Sequence, residues 1–334
     1  MLFFENIFIP YLLTNKIDTV IHLGDLVDRR KYINYQVLHV IRQKILRLFE
    51  KHKITIHLII GNHDTYYKNS KKINAPESLF PDLKFLKIYT EPQKILFDVP
   101  VLFIPWITEE TSELSMQLLD DHSVKTVFGH FQITGYEMYK GIISTEGMNS
   151  STFSHFDNVF SGHFHHKSHV GNIHYLGSPY ELTFNELESI KGFHVFDTIT
   201  NELEFIPNEN RMFYKHVYND LKKELNELLQ FDFSVYNEKF VKIVVEHKEN
   251  VFFFDTVLEE IRKQNPHEIS IIDFTEIEFN ENPVEYGDEL HDTMHILFKC
   301  IDNIQSSYIK SDHERNVLKE LMQKLYLKAH EMES

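Results

Sequence analysis

Two short β-rich runs near the start of the chain each end in a glycine followed by an oxygen-bearing side chain, and one helical stripe lies between them. The first run is Thr19 to Leu23, closed by Gly24-Asp25; the second is Ile54 to Ile60, closed by Gly61-Asn62. Between Tyr35 and His52 apolar residues recur at 37, 38, 41, 45, 48 and 49, the 3.6-residue period of a helix with one buried face. Strand, helix and strand at this spacing form a parallel βαβ unit, which places the chain in the α/β class.

Ahead of that unit, Phe3, Phe4, Ile7, Phe8, Tyr11 and Leu12 follow the period of a core-facing helix. A signal peptide is not expected there: Glu5 interrupts the apolar run, and no basic start or small-residue cleavage site flanks it. Further strands are expected at Val101–Ile104, Val124–Phe128, Val159–Ser161, Ile173–Leu176, Phe193–Phe196 and Leu203–Ile206. Few helical stripes separate them, so the sheet becomes mixed or antiparallel. After Pro207-Asn208-Glu209-Asn210 the character changes. Helix-like runs (Leu221–Leu229, Asp255–Lys263) alternate with strands (Val241–Val245, Ile269–Phe274), the pattern of a separate small α/β domain. The last segment carries Ser311 and Glu314 at capping-box spacing before Val317, Leu318, Leu321 and Leu325, which predicts an amphipathic helix. The expected organisation is therefore a domain over 1–207, a small domain over 208–300 and a helical segment over 301–334.

Composition narrows the partners. Thirty-four basic against 50 acidic residues give a formal charge of −16, so bulk electrostatics oppose binding of a polyanion. Any nucleic-acid contact must come from a local patch or from metal ions. The single cysteine, Cys300, excludes an intramolecular disulfide and favours a reducing, cytoplasmic compartment. No stretch reaches the length of a membrane span. Alanine occurs only at Ala75 and Ala329 while Lys, Ile, Asn, Phe and Tyr abound, a bias expected of AT-rich bacterial or phage coding.

Four glycine-led motifs sit at the ends of predicted strands: Gly24-Asp25-Leu26-Val27-Asp28, Gly61-Asn62-His63-Asp64, Gly129-His130 and Gly162-His163-Phe164-His165. Loops at the carboxyl ends of strands in an α/β sheet converge on one rim, so residues far apart in sequence can meet there. Asp, Asn and His form an oxygen and nitrogen ligand set without sulfur, suited to Mn, Fe or Zn, and a carboxylate such as Asp25 can bridge two ions. Two such ions about 3.5–4 Å apart form a clamp for phosphoester displacement. A free imidazole beside them, for which His63 is the candidate, can stabilise the transition state or protonate the leaving oxygen. Arg29, Arg30 and Lys31 form a basic triplet next to Asp28, fit either for phosphate contact or for plain surface. Tyr66, Tyr67 and Lys68 follow the second motif and can bracket a nucleotide or pack as a loop.

In this order the four motifs resemble the calcineurin-like metallophosphoesterases. Within them the chain is similar to the SbcD-type DNA repair nucleases, including the recombination endonuclease subunit of T4-type phages. The narrower likeness rests on Thr65-Tyr66-Tyr67-Lys68-Asn69, Ile104-Pro105-Trp106, Tyr175-Leu176-Gly177-Ser178-Pro179 and Gly192-Phe193-His194-Val195-Phe196-Asp197. The resemblance implies a sandwich of two mixed β-sheets flanked by helices, with a small α/β capping domain that serves DNA binding. It implies two divalent ions, manganese preferred: Asp25 bridging, Asn62, His130 and His163 on the second ion, His165 on the first. His63 would act on the leaving group, steered by Asp64, and Asp28 would orient the metal loop. Arg29, Arg30, Tyr66 and Lys68 become candidate DNA contacts. The implied activity is that of a DNA endonuclease and exonuclease in recombination and repair. The implied partners are an SMC-like (SbcC-type) ATPase docked on the terminal helix and a second copy of the chain as a homodimer.

One departure stands out. Such enzymes begin with a strand ending in Asp-x-His, and no such motif precedes the first helix here. Asp120-Asp121-His122 lies in a polar loop in the wrong place to substitute. The expectation is that the first β-strand is missing because the true start lies upstream of Met1. The alternatives are a generic calcineurin-like phosphatase or nucleotide phosphodiesterase, and a catalytically dead scaffold lacking the first metal.

Overall fold

The helical stripe begins where Asn34 Oδ1 accepts the N–H groups of Gln36 (2.8 Å) and Val37 (3.3 Å), satisfying donors that a helix start leaves open. In this computed structural model, which describes residues 1–139, 142–187, 189–273, 275, 297–298, 301–302, 311, 313–319, 321–322 and 325, the helix continues through Tyr35–Val40, Ile41–Ile45 and Leu46–Lys51. The opening helix runs Phe4–Phe8 and Ile9–Thr14. Pro10 has no N–H and its ring crowds the carbonyl four residues back, so a widened turn at Phe4–Phe8 precedes it.

Both helices cover a three-stranded parallel sheet, ordered Thr19–His22, Thr55–Ile59, Leu86–Tyr89. Phe3, Phe8, Leu12, Phe49, Ile56 and Leu58 share one core beneath them. A second, six-stranded sheet is ordered Ser168–Val170, Ile173–Tyr175, Asn158–Ser161, Thr126–Gly129, Pro100–Ile104, Gln93–Leu96. Its inner four strands are parallel and its outer two antiparallel, so of the mixed and antiparallel sheets the sequence allowed, it is the mixed one. Ile59 and Tyr89 of the first sheet meet Val101, Phe103, Phe128 and Phe160 of the second, so the two sheets form a sandwich. Phe103 is fully buried among the rings of Tyr89, Phe97 and Phe128, and truncating it to Ala costs about 3–5 kcal/mol. Among the described residues Thr19–His22 pairs only with Thr55–Ile59, and Gly192–Phe196 pairs only with Leu203–Pro207.

The chain divides into two compact units. The first takes in Met1–Tyr180 and Ser189–Asn210; the second is built from Arg211 onward with a short segment beginning at Glu181. In the second, Phe213–Asn219, Phe240–His247 and Glu268–Asp273 form a parallel sheet packed against the helix Val251–Lys263. Asn250 caps that helix earlier than the apolar period suggested. The helix expected over Leu221–Leu229 shrinks to Leu225–Leu228, because Lys222 adopts a left-handed φ of 56° and helical conformation begins only after the Glu224/Glu227 capping box. Most of 276–310, including Cys300, lies outside the described residues, as does part of the terminal segment. There Ser311 Oγ accepts the N–H of Glu314 (3.3 Å) while Glu314 Oε2 accepts that of Ser311 (3.0 Å), and 313–319 is helical. Among the described residues no helix is long and apolar enough to cross a membrane.

Candidate metal centre

Five strands deliver their carboxyl ends to one place: Thr19–His22 and Thr55–Ile59 from the first sheet, Pro100–Ile104, Thr126–Gly129 and Asn158–Ser161 from the second. The loops there approach backbone to backbone. A Cβ on Gly61 would stand 2.2 Å from Asp25 Oδ1, and one on Gly24 would stand 2.7 Å from the Gly61 nitrogen, so only glycine permits the approach.

Asp25, His130 and His163 each bring a ligand atom within 4.8 Å of the others. Asn62 Oδ1 lies among them, 2.9 Å from His130 Nε2 and 2.8 Å from His163 Nδ1, and Asp25 Oδ2 is 3.3 Å from His130 Nε2. His130 Nδ1 is 2.7 Å from the Leu23 carbonyl, which can only accept, so that nitrogen donates and the ring is turned with Nε2 toward Asn62 and Asp25. Asp25 and His163 both hold left-handed backbone, φ 56° and 74°, the kind of strain that gathers at functional sites. Burial pushes the Asp25 carboxyl up, but the charge and hydrogen bond of His130, then His63, hold it well below the usual range. Burial pulls His130 down, and Asp25 more than reverses this, leaving it raised. His163, buried beside His130, is driven well below its ordinary value. One carboxylate, one amide oxygen and two imidazoles, all converging, fit a divalent cation of borderline hardness.

His165 is half-buried and close enough to His163 to depress it, but it does not belong to the 4.8 Å cluster. His63 lies alongside: its backbone N–H donates to Asp25 Oδ1 at 2.9 Å, and its Nδ1 donates to the Asp28 carbonyl at 2.6 Å, which leaves Nε2 for chemistry. The two remaining aspartates exchange the tasks expected of them. Asp64 does not touch His63; fully buried, it accepts the N–H groups of Asp25, Leu26 and Gly61 at 2.8 Å and of Val27 at 3.3 Å. Asp28 orients His63 through its carbonyl while its carboxylate, 91% exposed, reaches only Arg29 at 3.8 Å among the described residues. From sequence the two looked alike, because each is the last residue of a glycine-led motif.

A calcineurin-like phosphoesterase family model matches residues 3–167, which hold every side chain of the cluster. The chain carries a calcineurin-like phosphoesterase domain. Over 328 residues it is 28% identical to exonuclease subunit 1 of enterobacteria phage T4, covering 96% of this chain and 90% of the relative. Over 221 residues it is 27% identical to the SbcD component of the SbcCD nuclease of Staphylococcus epidermidis, covering 57% of this chain and 59% of that one.

Around the phosphoesterase centre Arg30 donates from Nε to the Asn62 carbonyl at 2.9 Å, bracing the Asn62 loop, whereas Arg29 is exposed. Tyr66 and Lys68 are exposed on the hairpin Thr65–Tyr67/Ser70–Asn74. Trp106, which sequence reasoning noted only as part of a likeness, covers the cluster: its ring lies 5.3 Å from that of His163, and its Nε1 donates to the Lys68 carbonyl at 3.1 Å. It is the single tryptophan and follows a strand end, a signal of the same kind as the glycine motifs. His22, which accepts from the Gly24 N–H at 3.3 Å, is pushed by burial to about 4 and remains a neutral packing residue.

Proposed function

We propose that this chain is the nuclease subunit of a recombination and repair complex, a metal-dependent DNA endonuclease and exonuclease that hydrolyses phosphodiester bonds. The observation that carries this is the convergence of Asp25, Asn62, His130 and His163 beside a histidine whose Nε2 is unengaged among the described residues. Two divalent ions, manganese first among them, would be held by Asp25 as bridge, Asn62, His130 and His163 on one side and His165 on the other. Bound there, they would supply a hydroxide nucleophile and neutralise the phosphoryl oxygens. Asp64 keeps the Asp25 loop in place for that role, and His63, its Nδ1–H held by the Asp28 carbonyl, would enter as the imidazolium, give its Nε2 proton to the leaving oxygen and remain as the neutral ring.

The names of the relatives, an exonuclease subunit and a component of a two-part nuclease, support a partner as well as a substrate. An SMC-like ATPase of SbcC type fits the capped terminal helix, where Val317, Leu321 and Leu325 are exposed at successive four-residue steps. A homodimer in the cytoplasm of a bacterial or phage-infected cell completes the proposed assembly.

The test is a pair of measurements on the same preparation: manganese bound per chain, and manganese-dependent cleavage of linear DNA. Two ions with cleavage is the expected result. One ion or none, with no cleavage, replaces the enzyme by a scaffold. Cleavage of nucleotide esters but not of DNA replaces the nuclease by a small-substrate phosphodiesterase.

A further inference from the structure

Beside His63 two tyrosine-bearing segments stand in water. In the hairpin that follows the Asn62 loop, Thr65 is buried, yet Tyr66 and Tyr67 are 36% and 56% exposed. Consecutive strand residues normally face opposite ways, but the register shifts between Thr65 and Tyr67, so both rings emerge, edge to face at 4.7 Å. The hairpin is tied to the centre: Thr65 Oγ1 donates to the Asn62 carbonyl at 3.1 Å, and Trp106 Nε1 to the Lys68 carbonyl at 3.1 Å.

Facing it, the segment after Asp28 is pinned by Arg30 on the Asn62 carbonyl. Just beyond, Lys31 Nζ lies 5.8 Å from the Tyr66 ring centre, and Tyr32 and Tyr35 are 73% and 86% exposed. Exposed aromatics with interleaved cations are what a single nucleic-acid strand requires, since every base offers a π-face and every linkage a charge. The net charge of −16 makes stacking the more useful half of that pairing, because it does not depend on the sign of the surrounding field.

We propose that Tyr66 and Tyr67, with Lys31 and Tyr32 across from them, form a base-stacking subsite for the unpaired nucleotides that flank the scissile phosphate. The preferred substrate is then DNA with an unpaired or frayed stretch at the cleavage point, held without regard to base identity. This deepens the reading of the centre as a DNA phosphodiesterase and rests on it.

The experiment uses the full chain in EDTA, where DNA stays intact, and two single-stranded probes of equal length: one with bases, including 2-aminopurine, and one fully abasic. Wild type should bind the first at least about ten-fold more tightly than the second, as base–aromatic stacking requires, and should quench the 2-aminopurine. Tyr66→Ala/Tyr67→Ala should lose about ten-fold or more on the base-containing probe and change little on the abasic one. Tyr66→Phe/Tyr67→Phe, which keeps the rings, should retain binding and quenching. Equal losses on both probes, or none on either, overturn the subsite, and so does tight binding by a protein partner at these rings with no affinity for the strand. Failure of the nuclease reading would appear separately, as absence of manganese-dependent cleavage by wild type.

Discussion

Asp64 accepts the backbone N–H of Asp25 at 2.8 Å, so the proposed bridging ligand is positioned by a carboxylate from the next strand end rather than by its own loop. The same carboxylate takes three further amides, from Leu26, Val27 and Gly61. Asp64→Ala leaves these donors buried without an acceptor, each unsatisfied group costing about 1–3 kcal/mol. The expected loss is about 3 kcal/mol or more in urea unfolding. Asp64→Asn, whose amide oxygen still serves some of the donors, should lose less. A loss under about 1 kcal/mol for Asp64→Ala would show that the loop holds itself.

His63 has a different burden. It is partly exposed and joined to its surroundings by one ring bond and one backbone bond, so His63→Ala should leave the unfolding midpoint nearly unchanged. Proton donation to a leaving group contributes about 10²–10⁴-fold, and cleavage should fall by that factor while manganese binding persists. Replacing the DNA by a diester with a strongly acidic leaving group should recover most of the rate. Without that recovery, the proton-donor role is wrong.

What the sequence made legible followed from strong local signals. Gly24, Gly61, Gly129 and Gly162 mark strand exits because the backbone there must turn or approach closely, and the side chains after them reach the centre. Leu86–Tyr89 was not anticipated: Leu-Lys-Ile-Tyr is a short run with a lysine in it, and its place is set by pairing to Ile56–Ile59. Phe213–Asn219 was missed for a like reason, with Lys215 and His216 interrupting the apolar pattern on a strand buried mostly on one side. The exchange between Asp28 and Asp64 was invisible because hydrogen-bond direction is a tertiary property. No spacing rule separates a carboxylate facing four amides from one facing water.

Lys191 is buried, and its ammonium donates to the His165 carbonyl at 2.9 Å and to Ser178 Oγ at 2.7 Å. It thus fastens the segment after His163 to the Leu176-Gly177-Ser178-Pro179 turn. Lys191→Met removes a charged donor and leaves both acceptors behind, with an expected cost of about 2–4 kcal/mol. Amide exchange at 164–167 should quicken, and Lys191→Arg should restore part of the protection. Unchanged exchange in the Met variant would remove the fastening role.

Acid should weaken the fold in a window set by histidines remote from the metal centre. Burial holds His57, His174, His194 and His216 near 4 against an ordinary 6.5, with Lys87 adding to the effect at His57, His169 at His174, and Lys167 then His174 at His194. Two of them are fixed as hydrogen-bonded neutral rings: His57 Nδ1 is 2.7 Å from the Tyr89 hydroxyl and His216 Nδ1 is 2.8 Å from that of Tyr236. Each depressed group is neutral in both states above 6.5. As pH falls from 6.5 toward 4, the unfolded chain takes up protons that the folded chain refuses, and stability is lost across that interval. Below about 4 the folded rings protonate as well, and their contribution to the slope ends. The measurement is the urea midpoint between pH 7.5 and 4, made with the wild type and with His194→Phe and His216→Phe. The midpoint should decline through the window and decline less steeply in each variant, whereas a flat wild-type profile would mean that these rings titrate freely.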